Sequence, residues 1–270
     1  MNMYRIKLCI ISLLIISTTI IAYQKPIVII IPSYNNSKWY IRNLSSVLDQ
    51  EYDNYRIIYI DDCSTDGMSE SVVRFITKND IDGRVTYIRN AQRRGALANL
   101  HDAIYDCADD EIVVTVDGDD WLEDSYACGI INSTYSASDV WITYGRYREY
   151  PSNLIGAWRA IPQDVIQGNA FRDHEWLSTH LRTFYAGLFK KIAPEDLLFQ
   201  GKFFQKTWDM AFMFPMLEMA GTHVHHMSDV LYVYNIDNPL NDFKQDLDTV
   251  LYLENVIRRK KRYTPLDTLS

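Results

Sequence analysis

Three aspartates stand together in this chain, directly after a short apolar segment. They belong to the acidic turn Asp117-Gly118-Asp119-Asp120, which follows Glu111 to Val116. The end of a strand is held rigidly, so two carboxylates separated by one residue can converge there on one cation. Hard oxygen ligands select Mg²⁺ or Mn²⁺, and Mg²⁺ commonly keeps positions open for substrate phosphates. Because Asp-Gly pairs are also common turn formers, the spacing alone leaves a purely structural turn open.

Two further polar clusters follow apolar segments in the same way. Ser33-Tyr34-Asn35 comes after Ile27 to Ile31, and Asp61-Asp62 comes after Tyr55 to Ile60. These segments show no polar alternation, which is typical of parallel strands buried on both faces. Open α/β sheets bind their ligands at the carboxyl ends of such strands. The sequence therefore predicts one ligand site built from these clusters and the acidic turn.

The segments between the clusters alternate between strand and helix patterns. This order predicts an α/β fold with a doubly wound, mostly parallel sheet and a Rossmann-like first half. The predicted helices of the first half are Trp39 to Gln50, Ser69 to Lys78 and Gly95 to Cys107. They alternate with four predicted strands, of which the last two are Val85 to Ile88 and Ile112 to Val116. In the less regular second half we expect strands at Val140 to Tyr144, His223 to His226 and Val230 to Tyr234, and helices at Glu175 to Phe189, Thr207 to Ala220 and Asp242 to Lys261.

Composition excludes several function classes. The 270 residues carry a net charge of −8 and a pI of about 5.2, which argues against a protein that neutralises nucleic-acid phosphates. Neither the dinucleotide-binding nor the P-loop glycine pattern occurs, so an anionic ligand needs another counter-charge, such as a cation held by carboxylates. The four cysteines lack C-x-x-C spacing, which argues against zinc and redox sites.

The apolar segment Leu8 to Ala22 follows Arg5 and Lys7 and carries no charge. This pattern is typical of a signal peptide or signal anchor, with a buried first element of the domain as the alternative. We favour an uncleaved anchor, and the positive-inside rule then puts the remaining chain across the membrane. We expect a single-pass type II protein facing the ER or Golgi lumen, or a viral equivalent, with a secreted or cytosolic protein as the alternative. The sequons at Asn43 and Asn132 would then be open to glycosylation.

Four motifs together resemble the inverting family 2 glycosyltransferases of the GT-A fold. They are Ile29 to Asn35, Leu48 to Tyr52, Ile60 to Gly67 and the acidic turn, and the resemblance is close over Lys25 to Leu122. It implies metal-dependent transfer of a sugar from a nucleoside diphosphate sugar, with UDP favoured, to a hydroxyl or amine of a glycan, protein or lipid. The nucleotide-binding residues that it implies are Pro32, Ser33, Tyr34, Asp62, Arg94 and Asp117, and the ligands of Mn²⁺ or Mg²⁺ are Asp119 and Asp117.

An inverting transfer needs a base that deprotonates the acceptor. The family places this base at the start of a helix in the second half, which points to Asp209, with Asp173, Glu175 and Asp196 as rivals. Some members complete the metal site with a histidine near the C-terminus, where this chain has Asp237. Asp237 could be a third ligand, and water or one of the histidines at 223, 225 and 226 are the alternatives. On the acceptor side we expect Trp176, Glu175 and His180.

The expected organisation has three parts. Residues 1–24 form the anchor or signal, residues 25–241 the GT-A domain, and residues 242–270 an amphipathic helix with a basic tail. Within the domain, residues 25–122 bind the nucleotide sugar and residues 123–241 the acceptor. Two other functions stay open. One is a polyprenyl-phosphate sugar synthase whose tail, Arg258 to Arg262, meets the membrane, and the other is a catalytically silent sugar-nucleotide-binding scaffold.

Overall fold

The computed structural model describes residues 23–156, 159–240 and 242–269. Its strands are β1 (Ile27–Ser33), β2 (Tyr55–Asp61), β3 (Val85–Arg89), β4 (Ile112–Thr115), β5 (Trp121–Leu122), β6 (Ile142–Tyr150), β7 (Ile155–Gly156), β8 (Arg182–Tyr185), β9 (Leu198–Phe199), β10 (Lys202–Phe203) and β11 (Val224–Asn235). Its helices are α1 (Tyr40–Leu48), α2 (Met68–Asn79), α3 (Ala96–Tyr105), α4 (Ala127–Ala137), α5 (Gln163–Gln167), α6 (Ala186–Phe189), α7 (Trp208–Ala220), α8 (Asp242–Gln245) and α9 (Leu247–Arg258).

One twisted sheet joins the first and second halves of the chain. In the described residues its order is β3-β2-β1-β4-β8-β6-β11-β5, with β7 paired to β6. The four strands β1 to β4 are parallel to one another. β8 then lies antiparallel between β4 and β6, so that it connects the two halves through backbone hydrogen bonds. The predicted α/β fold with a mostly parallel sheet is confirmed.

The apolar runs form central strands because both faces of the sheet are covered. Val28 and Ile30 pack in one hydrophobic core, and Ile27, Ile29 and Ile31 pack in the core on the other face. All seven residues of β1 are buried. Alternate residues of a strand point to opposite faces, so an uninterrupted run of β-branched residues stabilises both cores at once.

The predicted helix Glu175 to Phe189 is wrong over most of its length. Arg182 to Tyr185 is instead the strand β8, and only the last four residues are helical. The segment is extended because it pairs with β4 on one side and β6 on the other. The buried Thr183 hydroxyl also lies 2.9 Å from the Tyr135 hydroxyl and 2.6 Å from that of Thr143. The two strand-like segments predicted between residues 223 and 234 form one strand, β11, with irregular register against β6.

A buried ion pair attaches the C-terminal segment to α7. Arg172 and Glu218 meet through two hydrogen bonds of 2.6 and 2.9 Å. Arg172 also donates to the Ile257 carbonyl at the end of α9, and the Tyr263 N–H donates to Glu218. Within the basic tail, Lys260 donates to the Glu195 carbonyl. The tail therefore packs against the domain through several of its charged side chains.

The predicted localisation needs correction. Within the described ranges, no helix combines the length and apolar character that crossing a lipid bilayer requires. This finding overturns the type II membrane prediction, and the run Leu8 to Ala22 on which it depended lies outside the described residues. The prediction that Asn43 is open to glycosylation is also wrong, because that side chain is fully buried and donates both amide hydrogens to the backbone.

Candidate active site

A cleft of about 610 Å³ opens at the carboxyl ends of β1, β2 and β4. Binding sites for small molecules commonly measure about 300 to 1,000 Å³. The cleft brings together most of the residues that the sequence singles out. Nine of them line it: Pro32, Ser33, Tyr34, Asp62, Asp117, Asp119, Trp176, His180 and Asp209. Arg94, Glu175 and Asp237 lie outside the set of lining residues.

The acidic turn is held from both halves of the chain. The Asn43 amide on α1 donates to the carbonyls of Asp117 and Asp120, at 3.0 and 2.8 Å. From β11, the Tyr232 hydroxyl accepts the Asp117 N–H at 3.1 Å and donates to the Asp120 carboxylate at 2.7 Å. Gly118 is required sterically, since a Cβ there would lie 2.5 Å from the Ser33 hydroxyl oxygen. The backbone of the turn is thus fixed before any ligand binds.

Asp120 is the buried member of the turn. Its oxygens accept the Asn235 N–H and the Tyr232 hydroxyl, both at 2.7 Å. Burial, and then the nearby charges of Asp119 and Asp117, raise the pKa of Asp120 well above its usual range. Three carboxylates in so small a space repel one another when ionised, and a bound cation would offset that repulsion.

Among the described residues, one group of side chains at the cleft could hold a cation. Ligand atoms of Asp117, Asp120 and His180 lie within 4.8 Å of one another. Asp119 accepts a hydrogen bond of 2.7 Å from the Asn238 amide. Asp237 pairs with Lys38 at 3.0 Å and does not line the cleft.

His180 is held in its neutral form. Its ring stacks on Tyr232 and Tyr234, with centroids 4.5 and 5.3 Å away. Burial, and then the neighbouring Arg182 guanidinium, hold the pKa of His180 well below its ordinary value. A neutral imidazole has one nitrogen lone pair that can accept a hydrogen bond or bind a metal. The histidines at 223, 225 and 226, which the sequence offered as alternative ligands, lie outside the cleft lining.

Asp62 lies at the other end of the cleft and is held by the loop that precedes α3. Its Oδ1 accepts the Asn90 amide at 2.7 Å and the Arg94 N–H at 2.9 Å, and its Oδ2 accepts the Gly95 N–H at 2.8 Å. Burial alone would raise the pKa of Asp62, but the hydrogen bonds outweigh it and the pKa is lowered. Asp62 is therefore an ionised acceptor with a defined orientation.

Asp61, its neighbour, has a structural role instead. It is fully buried and accepts hydrogen bonds from Ser64, Ser69 and Tyr87. Burial works against its charge, but these donors lower the pKa of Asp61 overall. Alternation along β2 separates the two carboxylates, so that only Asp62 faces the cleft.

The arginine that lines the cleft is Arg93, whereas the prediction names Arg94. The Arg93 guanidinium lies 3.9 Å from the centroid of the Tyr34 ring. The Arg94 side chain pairs with Asp102 on α3 at 2.7 Å, and its backbone N–H supports Asp62. Sequence alone does not show which of two adjacent arginines faces the cleft. The contact with Asp102 holds the Arg94 side chain outside the cleft lining.

Asp209 lies in the first turn of α7, on the opposite wall. Arg182 donates to its Oδ2 at 2.6 Å, and the same guanidinium lies 3.3 Å from a ring nitrogen of His180. The Arg182 side chain is 4% exposed and that of Asp209 is 22% exposed. Arg182 thus orients a carboxylate that solvent can still reach.

Of the residues predicted on the acceptor side, Trp176 and His180 line the cleft and Glu175 does not. Trp176 lines the cleft and packs edge-on against Phe214, with ring centroids 5.1 Å apart. Glu175 pairs with Arg159 at 2.7 Å and is half exposed. The rivals for the base, Asp173 and Asp196, also lie outside the cleft lining.

Several cleft residues are absent from the predicted site. Arg182 falls in the segment mistaken for a helix, although its spacing of two from His180 fits an extended chain in which both point to one side. Nothing in the local sequence marks Asn238, which approaches Asp119 only because β11 returns beside β5. Arg93 and Asn99 also belong to the lining.

Two proteins are similar in sequence to part of this chain. WcaA of Escherichia coli K12, named for colanic acid biosynthesis, is 38% identical over 92 residues, which cover 34% of this chain and 32% of that protein. The E. coli enzyme UDP-Glc:alpha-D-GlcNAc-diphosphoundecaprenol beta-1,3-glucosyltransferase WfgD is 28% identical over 146 residues, 54% of each chain. The chain thus matches about half, or less, of the length of these relatives.

The fold and the family follow from two further comparisons. The mannosyltransferase PcManGT from Pyrobaculum calidifontis, solved with GDP-Man and Mn²⁺, superposes with a TM-score of 0.60 at 18% identity, covering 90% of this chain and 67% of that one. This similarity identifies the fold as GT-A. The sequence profile of Glycosyl transferase family 2 matches residues 28–194, well over half of the chain. This chain belongs to glycosyl transferase family 2.

Proposed function

We propose that this protein transfers a sugar from a UDP-sugar to an acceptor hydroxyl, with inversion and with the help of a divalent cation. The observation that carries the proposal is that one cleft joins Asp62, the acidic turn and Asp209. Family membership supports the reaction class. The name of WfgD, a transferase of UDP-Glc, supports the choice of nucleotide.

The nucleotide belongs in the part of the cleft next to β1 and β2. Tyr34 offers an aromatic face on which a base can stack, and Arg93 lies over that ring. Asp62 is the acceptor for a ring N–H of the base. Ser33 and Pro32 border the same pocket.

The diphosphate belongs beside the acidic turn, where we place Mn²⁺ or Mg²⁺. The fit is favourable, because a cation with ligands at about 2.1 Å brings opposite ligand atoms to about 4.2 Å, within the spacing of Asp117, Asp120 and His180. We assign Asp117 and Asp119 as residues that would hold the cation, and Asp120 and His180 would be further candidates. When bound, the cation supplies Lewis-acid stabilisation of the leaving diphosphate.

Asp209 is the base of the proposed reaction. It lies in the first turn of α7, and Arg182 fixes one of its oxygens. The other oxygen is available to accept the proton of the acceptor hydroxyl. The hydroxyl oxygen then forms the new bond to the sugar carbon while the bond from that carbon to the diphosphate breaks. Trp176 offers an aromatic face for the acceptor on the same side.

The test is turnover of UDP-sugars by wild type and by Asp209→Asn and Asp119→Ala, with Mn²⁺ and after chelation. General-base catalysis contributes about 10² to 10⁴ in rate, so Asp209→Asn should lose at least a hundredfold in kcat and keep its affinity for UDP. Asp119→Ala should lose metal-dependent turnover. The matched control is Asp110→Asn, an exposed aspartate ahead of β4, which should behave as wild type.

Three outcomes would contradict the proposal. Equal turnover of wild type after chelation would remove the cation from the reaction. UDP binding without turnover on any acceptor would favour a silent scaffold. Transfer to polyprenyl phosphate itself would identify a synthase of lipid-linked sugar, in which a phosphate is the acceptor.

A further inference from the structure

One buried polar group of the cleft has an unused hydrogen-bonding capacity. Asn99, near the start of α3, is 3% exposed and lines the cleft. Its Oδ1 accepts the Asn90 amide at 2.7 Å, but its Nδ2 has no hydrogen-bond partner. Buried polar groups are nearly always paired, and leaving one unpaired is costly. An unpaired amide at the wall of a binding cleft therefore indicates a donor reserved for a ligand.

Asp62, beside it, has capacity left on one oxygen. An ionised carboxylate offers about four acceptor positions. Two are used on Oδ1, by Asn90 and Arg94, and one on Oδ2, by Gly95. The Asn99 amide favours the ionised form of Asp62, although it lies outside hydrogen-bond geometry. Asp62 thus keeps one acceptor position on Oδ2. The Asn90 amide donates to both side chains and so holds Asp62 close to Asn99 with its unused donor.

We infer that Asn99 is a specificity-determining residue that reads the donor nucleobase together with Asp62. This inference rests on the proposed function. An acceptor beside a donor complements a ring N–H beside a carbonyl, which is the arrangement on the N3 edge of uracil. Guanine also presents a ring N–H beside a carbonyl, but its amino group needs a second acceptor, and Asp62 Oδ1 is already occupied. Uracil is therefore the base that leaves no polar group unpaired.

The structure also explains why an amide is required at position 99. Leucine has nearly the shape of asparagine but would leave the Asn90 amide without its acceptor. Aspartate would keep that acceptor but would place a second negative charge beside Asp62 and remove the donor. A purely structural role would need only the Oδ1 contact, so the two variants separate the role of the acceptor from that of the donor.

The experiment is calorimetric binding in the presence of Mn²⁺. The ligands are UDP, GDP, CDP, 2-thio-UDP and 4-thio-UDP, measured with wild type, Asn99→Leu and Asn99→Asp. Wild type should prefer UDP to GDP and CDP, and should bind one thio analogue more weakly than UDP, because sulfur is the weaker acceptor. Each variant should lose about tenfold in affinity for UDP, the equivalent of one hydrogen bond. Each should also bind UDP and that thio analogue equally.

The outcomes distinguish the inference from the function on which it rests. If wild type binds none of the nucleotides, the proposed function fails. If wild type binds UDP and Asn99→Asp keeps the preferences of wild type, the inference fails and the function stands. Uniform weakening of all five ligands, with unchanged preferences, assigns Asn99 a structural role and also overturns the inference. Circular dichroism checks that both variants are folded.

Discussion

Replacing Glu218 by leucine removes one partner of the buried ion pair that attaches the C-terminal segment to α7. The side chains of Arg172 and Glu218 are 1% and 0% exposed. The substitution deletes two charge-assisted hydrogen bonds to Arg172, of 2.6 and 2.9 Å, and one from the Tyr263 N–H, of 3.0 Å. The Arg172 guanidinium is left charged in a dry environment, with the Ile257 carbonyl as its remaining hydrogen-bond partner among those described.

The expected loss of unfolding free energy is large, because the buried Arg172 charge is left with neither a counter-charge nor solvent. Breaking a buried ion pair on one side costs about 3–5 kcal/mol of unfolding free energy. For a chain of this size, 1 kcal/mol corresponds to about 2–4 °C in Tm, so Tm should fall by roughly 10 °C. The double variant Arg172→Met/Glu218→Leu removes both charges and should recover at least about 2 kcal/mol relative to the sum of the single variants.

Urea unfolding of wild type, both single variants and the double variant gives the coupling free energy directly. Glu70→Leu is the control, because Glu70 faces Arg74 in an exposed pair that is 3.7 Å apart. Surface pairs of this kind contribute about 0.2–1 kcal/mol. If Glu218→Leu were no more destabilising than Glu70→Leu, or if the single effects simply added, the ion pair would not be what secures the tail.

Three further predictions concern the acidic turn and a strand-edge ion pair. Gly118→Ala brings a methyl group to 2.5 Å from the hydroxyl of the serine that ends β1, so kcat should fall at least tenfold in the UDP-sugar assay. Gly129→Ala, where nothing lies within 4 Å, should keep full activity. Asn43→Leu deletes two buried hydrogen bonds to the acidic turn and should lower the free energy of unfolding, measured in urea, by about 2 kcal/mol. A loss of stability no greater than that of Gly129→Ala would contradict this. The third prediction is pH-dependent. Burial opposes the charge of Glu111, but its hydrogen bonds with Arg56 outweigh it and lower the pKa. Glu111→Gln should therefore be less stable at pH 7 by about 1 kcal/mol. The difference should start to shrink as pH falls below the unfolded pKa of about 4.3 and should vanish only below the lowered pKa of the folded state. A difference independent of pH would refute the assignment.

The first half of the fold was predictable because its central strands, β1, β2 and β4, are almost entirely buried. Ile27 to Ile31 and Tyr55 to Ile60 are continuous apolar runs, and the polar clusters after them mark the strand ends. Asp62 and the acidic turn then meet in one cleft simply because parallel strands end at the same edge of the sheet.

The second half was less predictable because its contacts are non-local. Arg182 to Tyr185 is too short for its periodicity to separate a strand from a helix, and it is extended because β4 and β6 supply partners on both sides. Residues such as Asn238 reach the site only through the return of β11. The exchange of Arg93 for Arg94 depends on one contact with Asp102, which periodicity does not reveal.

The position of β8 has a consequence for how substrates enter. Since this strand is hydrogen-bonded to β4 on one side and to β6 on the other, the wall that carries the acidic turn and the wall that carries His180 and Arg182 share one continuous sheet. Closure by rotation of one half about a hinge would break that ladder. Admission of donor and acceptor must therefore depend on the loops above the sheet, such as the one where Gln205 donates to the Arg94 carbonyl. Substitutions in those loops should alter rates of substrate association and product release before they alter the chemical step.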